Sequence, residues 1–207
     1  MLSTLKKYLW KRMEVLVIVG PSGVGKGTII NKLNSEFDKS FGFSVSHTSR
    51  SPRKNEVDGV HYHFANREWM DKEIQLGNFL ESAIVHGNMY GTRKCAVEDV
   101  VKQNKICILD IDLQGAESVY NLKLKHKVRF MYIRPPSLED LRKRLTERNT
   151  ESIEQVEKRM NTSKAEMATL DERLHHIFDA IIINRDLTQC YKEVLNCLEK
   201  WNAQLDR

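Results

Sequence analysis

The segment Gly20-Pro21-Ser22-Gly23-Val24-Gly25-Lys26-Gly27-Thr28 constrains this chain more than any other. An aliphatic run, Glu14 to Val19, precedes it and reads as a buried strand. Lys26 to Phe37 continues it as a helix, with Ile29, Ile30, Leu33 and Phe37 on one side. Strand, glycine-rich turn and helix in that order make a phosphate cradle. Small residues let successive backbone amides converge on phosphate oxygens, the helix N-terminus adds its dipole, and Lys26 reaches the phosphates nearer the transferred group. The pattern specifies triphosphate handling but leaves the acceptor open, because GTPases, ATPases and small-molecule kinases share this physics. At one position it departs from the common form: Gly27 stands where a magnesium-touching hydroxyl is expected, and Thr28 follows. Thr28 can offer that hydroxyl, or it can cap and pack the helix while phosphates and water hold the metal.

Further aliphatic runs at Ile106 to Ile111, Val128 to Ile133 and Ala180 to Ile183 have the continuous apolar character of parallel strands covered on both faces. Helices alternate with them. One begins near Gln114. Ser137 caps another, with Asp140 at the capping-box position and Leu138, Leu141 and Leu145 on its apolar side. Asp186 caps the last, where Leu187, Tyr191, Val194, Leu195 and Leu198 recur near helical spacing. The expectation is an α/β fold of three α/β/α layers around a central parallel sheet. A chain of 207 residues suits one elaborated domain rather than two.

Two stretches have a different texture. Phe43 and Val45 alternate ahead of the polar turn RSPRKNEVDG, then come Tyr62, Phe64 and a helix from about Arg67, which together read as an inserted antiparallel or mixed lobe. Thr146 to Arg173 is densely charged with few apolar side chains, as an exposed helical lid or a solvated helix pair would be. The net charge of +5 favours acidic partners without a sustained basic surface or module for nucleic acid. Cys95, Cys107, Cys190 and Cys197 lack the close paired spacing of a zinc or redox site and fit a reducing compartment. No run is long enough to span a membrane. The basic opening MLSTLKKYLWKR reads as an N-terminal extension rather than a targeting or membrane-surface segment, so a cytoplasmic location is expected.

A second phosphate site would separate the possible reactions. Arg50 and Arg53, close together in SHTSRSPR, can clamp one dianionic phosphate with two rigid guanidinium forks, or can be a solvated basic turn. Tyr62, Glu81 and Tyr90-Gly91-Thr92 could together read a base and its attached phosphate. Asp110 and Asp112 end an aliphatic strand, where carboxylates face the ligand crevice of such sheets. Alternation sends both to one side if the strand runs through them, so one can organise magnesium-bound water and the other a neighbouring basic residue.

The motif set resembles the guanylate kinases, nucleoside monophosphate kinases that act on GMP. The segments GPSGVGKGT, SVSHTSRSPRKNEVDGVHYHF, FLESAIVHGNMYGT, CILDIDLQGA, IRPPSLEDLRKRL, RNTES and INRDL occur in family order from about Glu14 to Trp201. The resemblance implies a P-loop kinase fold with core segments at about 13–42, 94–137 and 171–207, a GMP-binding lobe at about 43–93 and a lid at about 138–170. It implies ATP binding by Ser22, Gly23, Val24, Gly25, Lys26, Gly27 and Thr28, with Asn184 beside the adenine. Ser46, Arg50, Arg53, Tyr62 and Tyr90 match positions that hold the GMP phosphate, and Glu81 and Thr92 match those that recognise guanine. Glu81 can accept from guanine's ring N–H and amino group, a pattern adenine does not present in the same way. Asp110 and Asp112 match carboxylates near the phosphates and Mg2+, with Thr28 a third candidate metal contact, and Arg148 and Arg159 match lid arginines that swing toward the transferring phosphates. Gly27, Thr92 and Arg185 stand where Ser or Thr, Ser, and an acidic residue are common; the GKGT form resembles that of adenylate kinases. The implied reaction converts ATP and GMP, or dGMP, to ADP and GDP or dGDP, in a monomer or weak homodimer. The competing reading is a non-catalytic guanylate-kinase-like scaffold that binds peptide.

Overall fold

A computed structural model of the chain describes residues 13–53, 56–85, 87–124, 127–147 and 152–201. The N-terminal extension and Arg148 lie outside the described residues.

The central sheet has five strands, all parallel. They are β1 (Val15–Val19), β2 (Phe41–Phe43), β7 (Ile106–Asp110), β8 (Val128–Arg134) and β9 (Ala180–Ile183), in the order β2-β7-β1-β8-β9. Period-two alternation sorts the apolar runs into two cores. Leu16, Ile18, Ile106, Ile108, Met131 and Ile133 face one layer of helices: α1 (Lys26–Glu36), α5 (Leu138–Glu147) and α7 (Leu187–Lys200). Val15, Val17, Val19, Cys107, Leu109 and Tyr132 face the other. There α3 (Lys94–Lys102), α4 (Leu113–Asn121) and a π turn (Leu170–Leu174) contribute Val97, Ala116, Val119, Leu170 and Leu174. The expected three-layer α/β/α architecture is therefore present.

The insertion between β2 and α3 builds its own four-stranded mixed sheet, ordered β4-β3-β6-β5. Its strands are β3 (His47–Thr48), β4 (His63–Phe64), β5 (Phe79–Val85) and β6 (Asn88–Arg93), and helix α2 (Arg67–Gln75) starts where the Asn66 side chain accepts from Trp69 N at 2.7 Å. Met70, Phe79 and Met89 form a small separate core there. Register sets Glu81 of β5 directly opposite Thr92 of β6.

Helix α6 (Ile153–Thr169) fills the charged stretch. Ser152 and Gln155 form a capping box at its start. It is not solvated all round, because Val156 and Met160 bury in the core beside Leu141 and Leu145 of α5. Among the described residues no helix is long and apolar enough to cross a membrane.

Candidate active site

The register of the central sheet assembles the site. Ile18 pairs with Asp110, so the loop leaving β1 at Gly20 emerges beside the carboxyl end of β7. Gly20, Gly23 and Gly25 have positive φ, and Gly25 caps α1 in the left-handed region. A Cβ at Gly23 would lie 2.7 Å from Leu145 Cδ2, and one at Gly25 would lie 2.7 Å from Asn184 Nδ2. Both glycines let the loop wrap closely against α5 and the end of β9.

Lys26 points back along this loop. Its Nζ donates to Gly20 O at 2.5 Å and Pro21 O at 3.5 Å, and stands 3.8 Å from Asp110 Oδ1. Burial pushes the Asp110 carboxyl up and the Lys26 charge opposes that. Asp112 is committed to local structure: it caps α4, its Oδ1 accepting from Gly115 N at 2.8 Å. Burial raises its pKa as well, against the Gly115 bond and Lys26.

One cleft of about 620 Å3 runs from this loop to the inserted sheet. Such a volume suits a small-molecule site. Lys26, Asp110 and Asp112 line it at the central sheet. Ser46, Arg50, Arg53, Tyr62, Glu81 and Tyr90 line it from the lobe, and Ser22 and Arg159 meet over it, the arginine Nη1 donating to the serine hydroxyl. The structure thus brings together most of the residues singled out from the sequence. Thr92 stands behind Glu81, fully buried, its hydroxyl 3.1 Å from that of Ser46. Glu81 is itself buried, which pushes its carboxyl up to about 7 against hydrogen bonds from Thr92, with Asp112 adding to the rise. Tyr62 is pushed up to about 12, chiefly by burial and then by Asp110, so its phenol stays protonated.

Six residues expected to contact ATP or its metal, Gly23, Val24, Gly25, Gly27, Thr28 and Asn184, are not among the residues that line the cleft. Asn184 sits beneath the loop, its Nδ2 donating to Val24 O at 2.7 Å while its buried Oδ1 has no partner among the described residues. Thr28 and Gly27 are exposed on the first turn of α1 and are not among the cleft-lining residues. A Cβ at Gly27 would meet nothing within 4 Å, so no close packing requires glycine there. Gly27→Ala should raise stability by about 0.5–1 kcal/mol through helix propensity, read as a higher midpoint in thermal unfolding.

Several side chains that line the cleft or hold residues around it were not foreseen. Glu166 of α6 reaches in to accept from Tyr132 OH at 3.0 Å; burial raises its pKa and Lys26 opposes the rise. Arg173 pairs with Glu117, at 2.6 Å for the closer nitrogen. Arg144 donates to Asn184 O at 2.7 Å, and Glu56 grips Arg50. Only their charged context hints at them in the sequence, and a solvated helix face carries the same hint.

The donor set suits Mg2+ bound mainly through water and phosphate. Among the described residues no group of three or more His, Cys, Asp or Glu is arranged as a metal cage, while Asp110 offers a carboxylate beside Lys26 at the head of the cleft.

A family model described as guanylate kinase matches residues 12–201. Guanylate kinase 1 of Oryza sativa subsp. japonica is 50% identical over 193 residues, covering 93% of this chain and 50% of that protein, so the chain spans half the length of this relative. The guanylate kinase of Homo sapiens is 43% identical over 185 residues, covering 89% of this chain and 92% of that protein. The crystal structure of guanylate kinase from Anaplasma phagocytophilum matches with a TM-score of 0.71 at 29% identity, covering 94% of this chain and 88% of that one. A loop built to cradle phosphates, a cleft joining it to an inserted mixed sheet, and a family match along nearly the whole described chain lead to one conclusion: this chain belongs to the guanylate kinase family.

Proposed function

We propose that this protein transfers the terminal phosphoryl group of ATP to GMP, and to dGMP, releasing ADP and GDP or dGDP. The observation that carries this reading is the single cleft that holds Lys26 on one wall and the Arg50, Tyr62, Tyr90 and Glu81 group on the other. A donor phosphate on the loop and an acceptor phosphate on the arginines would face each other across it. An acceptor phosphate oxygen forms the new bond to the terminal phosphorus as the bond to the bridging oxygen breaks, and ADP leaves with that electron pair. Such a transfer needs alignment and charge neutralisation more than a strong base.

In this proposal the backbone from Ser22 to Thr28 holds the ATP phosphates and Lys26 stabilises the charge that develops on them. Asn184 lies beside the adenine. Ser46, Arg50, Arg53, Tyr62 and Tyr90 hold the acceptor phosphate, and Glu81 with Thr92 reads guanine. Asp110, Asp112 and Thr28 are the groups that would hold Mg2+ through its water, and the ion supplies charge neutralisation on the phosphates when bound. Arg148 and Arg159 act from the lid, roughly residues 138–170, whose closure excludes water from the transfer. The core and the acceptor lobe at about 43–93 complete the arrangement. A cytoplasmic setting is supported by four unpaired cysteines, and a monomer or weak homodimer by a cleft that a single chain lines.

The test is coupled ADP release with Mg2+ and ATP, offering GMP, dGMP, AMP, CMP and UMP separately. Turnover with the guanine nucleotides well above the rest is expected. No turnover dependent on GMP would overturn the kinase reading in favour of a peptide-binding scaffold, which has no need of Lys26 facing Asp110.

A further inference from the structure

The turn after β3 carries a carboxylate for which the phosphate clamp has no direct use. Glu56 accepts from both terminal nitrogens of Arg50, Nη1 to Oε2 and Nη2 to Oε1, at 2.9 Å each. Its Oε2 also accepts the Arg53 backbone N–H at 2.6 Å. Arg50 Nη1 spends its other hydrogen on the Ser51 carbonyl, at 2.8 Å. A guanidinium has five N–H groups fixed in one plane. Glu56 and Ser51 engage three of them; the other two are Nε–H and the remaining hydrogen of Nη2, side by side on one edge of the fork, with the Tyr90 phenol within hydrogen-bonding reach of the guanidinium. Nε is buried and has no hydrogen-bond partner among the described residues. The guanidinium lies 5.4 Å from the centre of the Tyr62 ring, and the Tyr90 phenol interacts with it; all three residues line the cleft.

An unsatisfied buried donor is costly, and a free side-on edge matches two oxygens of one phosphate. We infer that Glu56 is a positioning residue for the acceptor phosphate: by holding Arg50 end-on it presents the side-on edge to the cleft, and by binding the Arg53 amide it folds both arginines onto one wall. This rests on the clamp reading given above. Arg50 holds the Glu56 carboxyl down at about 2, so the grip persists at any working pH. The two side chains are 14% and 17% exposed, which limits screening of the pair by salt.

The opposite role has the same contacts: a carboxylate on Arg50 could be a stand-in that phosphate must displace. Titration calorimetry on the full chain separates the two, using GMP and its phosphate-free nucleoside guanosine as ligands for the native protein and for Arg50→Ala, Glu56→Ala and Glu56→Gln. If Glu56 positions Arg50, Glu56→Ala weakens GMP about tenfold, leaves guanosine affinity and the KM for ATP unchanged, and Glu56→Gln recovers part of the loss. Unchanged guanosine binding also reports an intact lobe; should Glu56→Ala fail to fold, the isosteric Gln variant carries the measurement, with a smaller loss confined to GMP expected. Arg50→Ala retaining full GMP affinity would overturn the clamp reading itself. Arg50→Ala losing GMP affinity while the Glu56 variants keep it, or bind GMP more tightly, would overturn the positioning role alone.

Discussion

Replacing Lys26 by alanine is expected to lower kcat roughly 10²- to 10³-fold while leaving a folded protein. Its amine rests on the carbonyls of Gly20 and Pro21, 3.8 Å from Asp110, so the cation is already aimed at the head of the cleft. A charge held there costs no reorganisation when negative charge develops on the transferring group, and its interaction is stronger in the transition state than with bound ATP. The loss should therefore fall on kcat more than on the KM for ATP. The fold survives because neither apolar core includes this side chain. Asp110 loses the cation that opposes its burial and takes up a proton more readily, so the variant gives up a little stability rather than its structure. Steady-state kinetics with varied ATP, alongside circular dichroism melting, checks both halves. A kcat within threefold of the native value, on the order of 0.6 kcal/mol, would remove Lys26 from the chemistry.

Four of the five strands of the central sheet were legible in the sequence because each obeys a local rule; the fifth, Phe41–Phe43, is only three residues long, and its Phe43 read as the start of the inserted lobe. Val15–Val19, Ile106–Asp110 and Val128–Arg134 are apolar runs, and Asp186 sits where the last helix needs a side-chain acceptor. The lobe was legible only in outline. Strands of two residues, His47–Thr48 and His63–Phe64, are too short to display a period, and β5 carries Glu81 inside its buried run. The helix Lys94–Lys102 was not expected, although Val97, Val100 and Val101 recur at helical spacing and pack on the core. In α6 the spacing of Val156, Met160 and Ser163 marks a buried stripe, but the charges around it read as solvent.

The site divides in the same way. Lys26, Arg50 and Glu81 fall in short motifs whose order along the chain is itself a signal. Arg144, Glu166 and Glu56 act on partners that only folding brings near: Arg144 on Asn184 O forty residues on, Glu166 on Tyr132, Glu56 on Arg50. A lone charged residue carries no mark of such a partner. Asp112 shows the converse, since its position suggested the metal centre while its nearest bond is to the helix it caps.

Glu81→Gln is expected to cut kcat/KM for GMP roughly 10²- to 10³-fold and to raise the stability of the free protein at the same time. The two effects have one cause. Burial holds the carboxyl at about 7, up from 4.5, so ionising it in the folded chain costs energy that the unfolded chain does not pay. The sign follows from proton counting: between those two values the folded state binds more protons, so stability falls as pH rises from 4.5 through 7 and stays lower above. A neutral amide of the same shape avoids that cost, worth on the order of 3 kcal/mol above pH 7, and the melting temperature of the variant should exceed that of the native protein at pH 8 but not at pH 5. Guanine offers two donors on one edge and needs the ionised carboxylate to accept both, whereas an amide turns one of its contacts into a donor facing a donor. For the native protein the same requirement makes GMP affinity fall about tenfold per pH unit below 7 and level off above it, as binding must first remove the proton. In Glu81→Gln that contribution should vanish, leaving only the titration of the GMP phosphate at about pH 6. A variant that keeps native GMP affinity, or native protein whose GMP affinity is flat from pH 5.5 to 8 (roughly 2.5 units across the titration), would show that guanine is not read by Glu81.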